Sequence, residues 1–301
     1  MSNLIKVAVP AGIGDVSWIW SKLSTIQDKG FQIFTPDTTP QRTFYWLHLL
    51  GSRVIPAIGK HGYNDILTQE SRKGYEEYTS WKEILKNYEE DEVIYLQPNQ
   101  WFLKGRSLES WLPDLKTDYH YPIYESPQDD EIGKKLIEGY RYPVAMHMGC
   151  VRGAKAWNTW LAEDWAAFIV ALKKEFPEIQ PILMGGIWDL DMAMEVMGRL
   201  PEDIKVVDLI GRTTIGQAIT ILRNVTYFVG FSSGLNVMCN VLNKPCTAMW
   251  PKHQRDHIYP HADPKMIDER TYLGFCYDDP SRIVIRLSSS LRKEMTRKWE
   301  S

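Results

Sequence analysis

Three small residues interrupt an apolar run in the second half of the chain. Residues 229–245 read VGFSSGLNVMCNVLNKP, so Ser232, Ser233 and Gly234 separate a strand-like segment from one with apolar residues at helical spacing. Small residues at such a junction let a phosphate approach the backbone, and a helix N-terminus carries about half a positive charge. This stretch therefore predicts a diphosphate site. The alternative is that Ser232 or Ser233 caps the helix.

Further glycine turns follow other predicted strands of the same half. Gly149 ends VAMHMG, and the segment MGG places Gly185 and Gly186 after the next strand. Small residues at three strand ends indicate a nucleotide site more strongly than any single turn does. None of the turns is a Walker loop or a complete GxGxxG fingerprint, so the pattern supports neither a kinase nor an NAD enzyme.

Three histidines in PKHQRDHIYPHADP have the spacing of metal ligands on a helix, namely His253, His257 and His261. Prolines within the same segment indicate a loop instead, so we expect no metal site there. A basic loop that contacts a ligand is the preferred interpretation, and an ordinary surface loop is the alternative. The cysteines lack CxxC spacing and are expected to be small buried hydrophobic residues; they are Cys150, Cys239, Cys246 and Cys276.

Strands and helices alternate around these turns. In the second half, strands are predicted at 142–149, 180–186, 204–211, 226–231 and 245–250, with helices at 161–176, 189–200, 214–225 and 233–243. Near the N-terminus, a strand at 4–10, a glycine turn and a helix at 16–27 precede strands at 31–36 and 91–98. This alternation predicts parallel sheets covered by helices in a Rossmann-like arrangement.

Composition is that of a globular protein. Of the 301 residues, 44% are hydrophobic and 24% charged, and the formal net charge is −3. The charge gives no sign of a globally basic nucleic-acid binder. No apolar run approaches the roughly 20 residues that span a bilayer, and we expect a cytoplasmic protein. The length favours two domains, which we place at 1–141 and 142–279. An amphipathic helix is predicted at 280–301, and packing back on the N-terminal domain is one option for it.

The order of these motifs resembles the heptosyltransferases of glycosyltransferase family 9. The resemblance rests on GIGDVSWIWSKL, on HMGC with KAWNTWLAEDWAAFIVAL, on PILMGG and above all on the run DLIGRTTIGQAITILRNVTYFVGFSSGLNVMCNVLNKPCTAMW. It implies an α/β GT-B fold, in which two Rossmann-like domains with parallel sheets face each other across a cleft. It also implies transfer from a nucleotide-sugar on the C-terminal domain to an acceptor on the N-terminal domain, without a metal cofactor.

The resemblance also assigns roles to residues. It implies that Asp15 of GIGDV is the general base and that the neighbouring Gly12 and Gly14 bind the acceptor. The alternative is that Asp15 caps a helix starting at Val16. Basic residues would neutralise the leaving diphosphate, with Lys155 first and Arg152 and Arg212 sharing the work or remaining surface charges. The implied donor set is Gly149, Lys155, Gly185, Gly186, Gly211, Arg212, Ser232, Ser233, Gly234 and Asn236.

Two departures from the family pattern bear on the donor. Ser232 and Ser233 stand where the family usually has an acidic residue and threonine, and Val237 stands where a histidine is common. The implied reaction is an inverting sugar transfer to a hydroxyl acceptor, for instance a lipopolysaccharide core glycan. The alternatives are transfer to a hydroxylated DNA base, which the net charge disfavours, a sugar-nucleotide epimerase, and an inactive nucleotide-binding homologue. Asn236 offers a polar ligand contact or an exposed or capping amide.

Overall fold

The computed structural model describes residues 5–9, 12–26, 30–35, 42–51, 54–58, 93–97, 106–107, 116–149, 160–250, 263–275 and 278–300. The chain forms two compact units, which divide between Tyr124 and Glu125. Both units are built on parallel sheets. The α/β class predicted from the alternating pattern is therefore confirmed.

The N-terminal unit has a five-stranded sheet. Its strands are β1 (Ile5–Ala8), β2 (Phe31–Thr35), β3 (Val54–Ile58), β4 (Val93–Gln97) and β5 (Arg106–Ser107), in the order β3-β2-β1-β4-β5. Helix α1 (Ile13–Leu23) connects β1 to β2, and α2 (Arg42–His48) precedes β3. Apolar residues of α1 and the strands are buried in the core of this unit, and they include Val7, Val16, Ile19, Leu23, Phe31 and Ile33.

The C-terminal unit has a six-stranded sheet with the Rossmann order. Its strands are β6 (Tyr142–His147), β7 (Ile179–Leu183), β8 (Val207–Asp208), β9 (Tyr227–Phe231), β10 (Cys246–Trp250) and β11 (Thr271–Phe275). The order is β11-β10-β9-β6-β7-β8, so the direction of strand addition reverses between β6 and β9. Ligands of open parallel sheets bind beyond the carboxyl ends of the strands at such a topological switch point.

Helices cover this sheet. They are α3 (Pro127–Lys135), α4 (Ala162–Glu175), α5 (Leu190–Arg199), α6 (Ile215–Asn224), α7 (Gly234–Val241), α8 (Pro264–Glu269) and α9 (Pro280–Glu300), with a 3-10 turn at Ile187–Asp189. The apolar residues of α4 that recur at helical spacing, namely Trp165, Phe168, Ile169 and Leu172, are fully buried. None of the described helices is long and apolar enough to cross a membrane.

The compact units divide earlier in the chain than the predicted boundary near residue 141. Helix α3 precedes that boundary, yet it packs against α6 of the C-terminal unit. The Thr214 hydroxyl donates to Asp129 Oδ1 at 2.7 Å, and the Arg223 guanidinium donates to Glu125 Oε1 at 2.7 Å. These contacts join the segment from residue 125 onward to the second unit.

The final helix shares the core of the C-terminal unit. Ile283, Leu287 and Leu291 of α9 are fully buried in the same cluster as the apolar face of α4. The Arg292 guanidinium lies over the Phe176 ring, 4.8 Å from its centroid, next to the end of α4. The sequence suggested a separate segment that packs back on the N-terminal domain; that contact remains a prediction.

Candidate functional site

Helix α7 begins at the switch point without a side-chain cap. Ser233 occupies the N-cap position in an extended conformation, with φ −154° and ψ 175°, but its hydroxyl makes no capping hydrogen bond. The hydroxyl oxygen lies instead 3.0 Å from Nδ1 of His147. The alternative that Ser233 is an ordinary capping serine is therefore wrong for its side chain. The Ser233 side chain therefore does not satisfy the backbone N–H groups in the first turn of α7, at the positive end of the helix dipole.

His147 is placed by the pairing of β6 with β9. It is the last residue of β6 and lies beside Gly230 in the parallel ladder, so the segment that follows β9 brings Ser233 to the imidazole. The side chain is buried, with 7% of the residue exposed. Since β6 and β9 flank the switch point, His147 lies at the edge where a nucleotide is expected.

Asp189 lies on the other side of the imidazole. Its Oδ2 is 3.4 Å from Nε2 of His147, and the same oxygen accepts the Gly186 N–H at 2.9 Å. Asp189 is 5% exposed and ends the 3-10 turn that follows β7. Ser233, His147 and Asp189 therefore form a continuous chain of side chains, which we call the switch-point cluster.

Two of the predicted diphosphate turns instead make room for this carboxylate. A Cβ atom on Gly149 would overlap Oδ1 of Asp189, and one on Gly185 would overlap Oδ2. A Cβ atom on Gly186 would overlap the Trp188 ring. The glycines at the ends of β6 and β7 are thus explained by packing, and a diphosphate held directly against Gly149 or Gly185 would meet like charge.

The turn after β8 packs on the turn after β7. Gly211 has φ +67°, a conformation that favours glycine, and its N–H donates to Gly185 O at 3.0 Å. Arg212 lies 2.8 Å from Asp208 Oδ2, and its side chain is 65% exposed. Such an exposed pair contributes little stability, and its guanidinium is accessible from solvent.

Asn236 points into the protein. Only 3% of the residue is exposed, and its amide donates to Cys246 Sγ at 3.6 Å. This corrects the expectation of an exposed or capping amide, because helical spacing turns this position toward β10. Its amide therefore contacts the core, and we leave it out of the donor set proposed below.

Two of the cysteines are buried and free, as expected of small hydrophobic residues, namely Cys239 and Cys246. Burial raises the pKa of Cys239, whereas a hydrogen bond from the Cys239 thiol lowers the pKa of Cys246. A further contact at 3.6 Å links Cys246 Sγ to Thr271 Oγ1 of β11. Both thiols therefore belong to the packing between α7 and the sheet.

Asp15 lies in the first turn of α1. The helix begins at Ile13 with Gly12 as its N-cap, so the predicted start at Val16 was late and Asp15 is the third residue of the helix, not its N-cap. The N–H of Val16 donates to the Gly12 carbonyl at 3.0 Å, which closes the first turn around Gly14 and Asp15. The turn follows β1, as the sequence predicted.

Several predicted residues lie outside the described part of the chain: Cys150, Arg152, Lys155, His253, His257, His261 and Cys276. Within the described ranges, no group of three His, Cys, Asp or Glu side chains is arranged to hold a metal ion.

Sequence reasoning missed His147 and Asp189. One signal was present, since the histidine of VAMHMG is a polar residue that ends an otherwise apolar strand. Asp189 was harder to recognise as a site residue. It comes directly after Trp188, shortly after the glycine turn, and the sequence pattern makes it the first residue of a helix. Their contact depends on β6 and β7 being neighbours in the sheet.

Residues 125–271 match the family model described as glycosyltransferase family 9 (heptosyltransferase). Among solved structures, the chain is similar to the E. coli ADP-heptose lipopolysaccharide heptosyltransferase II, with 16% identity, 97% of this chain and 99% of that chain covered, and a TM-score of 0.67. A family 9 glycosyltransferase from Veillonella parvula gives 14% identity, 97% and 98% coverage and a TM-score of 0.62. No curated protein sequence matches.

An E. coli heptosyltransferase solved with ADP gives 14% identity, 97% and 99% coverage and a TM-score of 0.53. The matched family segment begins at the division between the two compact units and contains the whole switch-point cluster. The resemblance inferred from the sequence and the predicted GT-B fold are both confirmed.

Proposed function

We propose that this heptosyltransferase-like glycosyltransferase moves a sugar from a nucleotide diphosphate donor to a hydroxyl acceptor, with inversion at the anomeric carbon. The observation that carries the proposal is the N-terminus of α7, which begins at the switch point of a Rossmann sheet and lacks a side-chain cap. Backbone N–H groups there favour an anion, and the family match makes a nucleotide-sugar diphosphate the expected one.

The donor diphosphate is proposed to lie on Ser232, Ser233 and Gly234. Arg212, Lys155 and Arg152 are the proposed cations for the charge that grows on the diphosphate as the glycosidic bond breaks. The turns at Gly149, Gly185, Gly186 and Gly211 are proposed to surround the diphosphate without binding it directly, because Gly149 and Gly185 leave room for the Asp189 carboxylate. The structure solved with ADP makes adenine the first nucleotide base to test.

Asp15 is proposed as the general base. A carboxylate in the turn after β1 would accept the proton of the acceptor hydroxyl while that hydroxyl attacks the anomeric carbon opposite the leaving group. Gly12 and Gly14, beside Asp15, would let the acceptor approach the backbone. One of the similar structures is named a lipopolysaccharide heptosyltransferase, so a glycan such as lipopolysaccharide core is the proposed acceptor class.

The test combines binding and transfer. Isothermal titration with ADP, UDP and GDP measures the donor site, and mass spectrometry of nucleotide-sugar and glycan mixtures measures transfer. Asp15→Ala should keep its nucleotide affinity while transfer falls by about 100-fold or more. Asp203→Ala, on an exposed loop, is the matched control. Full turnover by Asp15→Ala would remove the proposed base, and failure to bind any of the three nucleotides would remove the proposed donor site.

A further inference from the structure

His147 lies between an acid and a hydroxyl at the edge of the sheet. One ring nitrogen is 3.4 Å from Asp189 Oδ2, and the other is 3.0 Å from Ser233 Oγ. Neither the sequence motifs nor the proposed reaction gives this imidazole a role. Because Ser233 begins the helix on which the diphosphate is proposed to lie, the hydrogen atoms of the cluster decide what the site offers a ligand.

With a neutral imidazole, the hydrogen positions follow from the partners. The Asp189 carboxylate accepts hydrogen bonds and cannot donate one, so the nitrogen that faces it carries the ring hydrogen. The nitrogen that faces Ser233 is then an acceptor, and the Ser233 hydroxyl must donate to it. In this state Ser233 presents only lone pairs to a ligand, which is unfavourable for a phosphate oxygen.

A second proton on the ring reverses the hydrogen-bonding role of the Ser233 hydroxyl. Both ring nitrogens of an imidazolium donate, so Ser233 accepts from His147 and its own hydrogen is free to point at a phosphate oxygen. The change in the net charge of the cluster also favours phosphate binding. With Asp189 ionised, the cluster is negative when His147 is neutral and has no net charge when His147 is protonated. A diphosphate next to Ser233 therefore favours the protonated ring.

The groups that face His147 support this coupling. Asp189, a titratable group from the turn after β7, faces one ring nitrogen, and Ser233, from the segment after β9, faces the other. The N–H of Gly186 holds the Asp189 carboxylate on its other side. A fixed carboxylate on one side and an arriving anion on the other both stabilise a cation between them.

We propose that binding of the donor diphosphate is coupled to uptake of a proton by His147, which turns the Ser233 hydroxyl into a hydrogen-bond donor to the phosphate. The inference rests on the proposed function, because it requires the diphosphate to lie at Ser233. His147 is a positioning residue, since it acts through Ser233, and Asp189 fixes the orientation of its ring.

The experiment measures proton uptake directly. Calorimetric titrations with ADP-glucose, UDP-glucose and GDP-mannose are run at one pH in two buffers with different ionisation enthalpies. The diphosphate of these probes does not titrate near neutral pH, so a difference in binding enthalpy between buffers reports protons taken up by the protein. We expect the protein to take up at most one proton on binding. The affinity for the nucleotide-sugar should fall by up to about tenfold for each unit by which the pH is raised.

Variants assign the proton. His147→Gln keeps a polar side chain that does not titrate, so its binding enthalpy should be the same in both buffers, with weaker binding. His120→Gln, at an exposed position of the N-terminal unit, should retain the full uptake. Thermal unfolding checks that each variant folds. If His147→Gln does not fold, ring-nitrogen NMR of histidine-labelled wild-type protein replaces it, and the His147 ring should gain a second nitrogen-bound proton in the complex.

The outcomes separate the two proposals. Nucleotide-sugar binding with no proton uptake, or uptake that persists in His147→Gln, overturns the coupling and leaves the proposed function in place. Absence of binding for all three nucleotide-sugars and for ADP, UDP and GDP overturns the donor site, and the coupling with it. Proton uptake that is lost in His147→Gln and retained in His120→Gln supports both the donor site and the coupling.

Discussion

The carboxylate of Asp189 lies beside Gly149, two residues after the end of strand β6. A Cβ atom on Gly149 would overlap Oδ1 of Asp189, while Oδ2 accepts the Gly186 N–H and faces His147. The carboxylate is also buried, since Asp189 is 5% exposed. Glycine is therefore required at this strand end by a neighbouring side chain, and the switch-point cluster depends on it.

Gly149→Ala should destabilise the C-terminal unit. The added methyl group must displace a buried carboxylate, and overpacking of this kind costs about 1–3 kcal/mol in the free energy of unfolding. Urea denaturation followed by tryptophan fluorescence measures the change. Gly198→Ala in helix α5 is the control, because nothing lies within 4 Å of its added methyl group. That variant should gain about 0.5–1 kcal/mol from helix propensity.

A Gly149→Ala variant as stable as the wild type would contradict this packing. It would mean that Asp189 can leave the position it holds between Gly149 and His147. In that case the switch-point cluster would not be a fixed feature of the folded protein.

Thr214→Ala should weaken the attachment of the segment that begins at residue 125. The Thr214 hydroxyl accepts the Gln217 N–H at 3.1 Å, as the N-cap of α6, and donates to Asp129 Oδ1 of α3 at 2.7 Å. Loss of such a cap costs about 0.5–2 kcal/mol in the free energy of unfolding. The urea midpoint measures it, with Thr213→Ala as the neighbouring control, expected within about 0.5 kcal/mol of wild type. Equal stability of both variants would contradict the role given to Thr214.

The sequence predicted the elements whose hydrophobic period is strong. Helix α4 buries the four residues that its spacing placed on one face, and β6, β7, β9 and β10 follow continuous apolar runs. Strand β11 was missed, because TYLGF lies at the sheet edge, is mostly half-buried and contains glycine. Helix α2 was missed, because RTFYWLH is rich in aromatic residues of moderate helix propensity.

The candidate site could be predicted only in part. Local patterns identified the turn at Ser233, since a strand, small residues and a helix follow one another within a short stretch. The chain from Ser233 through His147 to Asp189 joins three separate strand ends, so it depends on the strand order β9-β6-β7. The same applies to Gly149 and Gly185, which were read as phosphate turns because Asp189 was not known to fill the space beside them.

Lys244 gives the C-terminal unit a stability that depends on pH. Its ammonium donates to the carbonyl oxygens of Arg223 at 2.8 Å and Val225 at 2.7 Å, where α6 ends. Burial lowers the pKa of Lys244 from 10.5 to about 8. Between these two values the unfolded chain binds more protons than the folded one. The contribution of Lys244 to the free energy of unfolding therefore rises with pH in that window, by at most about 1.4 kcal/mol per pH unit.

Lys244→Met removes this pH dependence of stability and leaves the carbonyl groups of Arg223 and Val225 without their lysine hydrogen-bond donor. The stability difference between wild type and variant should therefore be larger at pH 9.5 than at pH 7.5, as measured by urea denaturation. Lys173→Met is the matched control, because Lys173 also donates to two carbonyl oxygens, those of Pro177 and Ile179, near the end of α4. A difference for Lys244→Met that stays constant with pH would contradict the burial effect.

Ser233→Ala should weaken donor binding without weakening helix α7. The hydroxyl faces His147 and does not cap the helix, so its removal should leave the start of the helix unchanged. The buried His147 nitrogen loses its hydrogen-bond partner, which costs about 1–3 kcal/mol in the free energy of unfolding. A hydrogen bond to a charged group contributes about 1.5–3 kcal/mol, so nucleotide-sugar affinity should fall by about 10- to 100-fold. Ser233→Thr keeps the hydroxyl and should bind within about threefold of wild type.

Calorimetric titration and urea denaturation of the same preparations measure both quantities. Ser288→Ala in α9 is the control for loss of a serine hydroxyl elsewhere, since that hydroxyl donates to Val284 O at 2.7 Å within its own helix. It should leave nucleotide-sugar affinity unchanged. Unchanged nucleotide-sugar affinity of Ser233→Ala would contradict the proposed contact and move the diphosphate away from the start of α7.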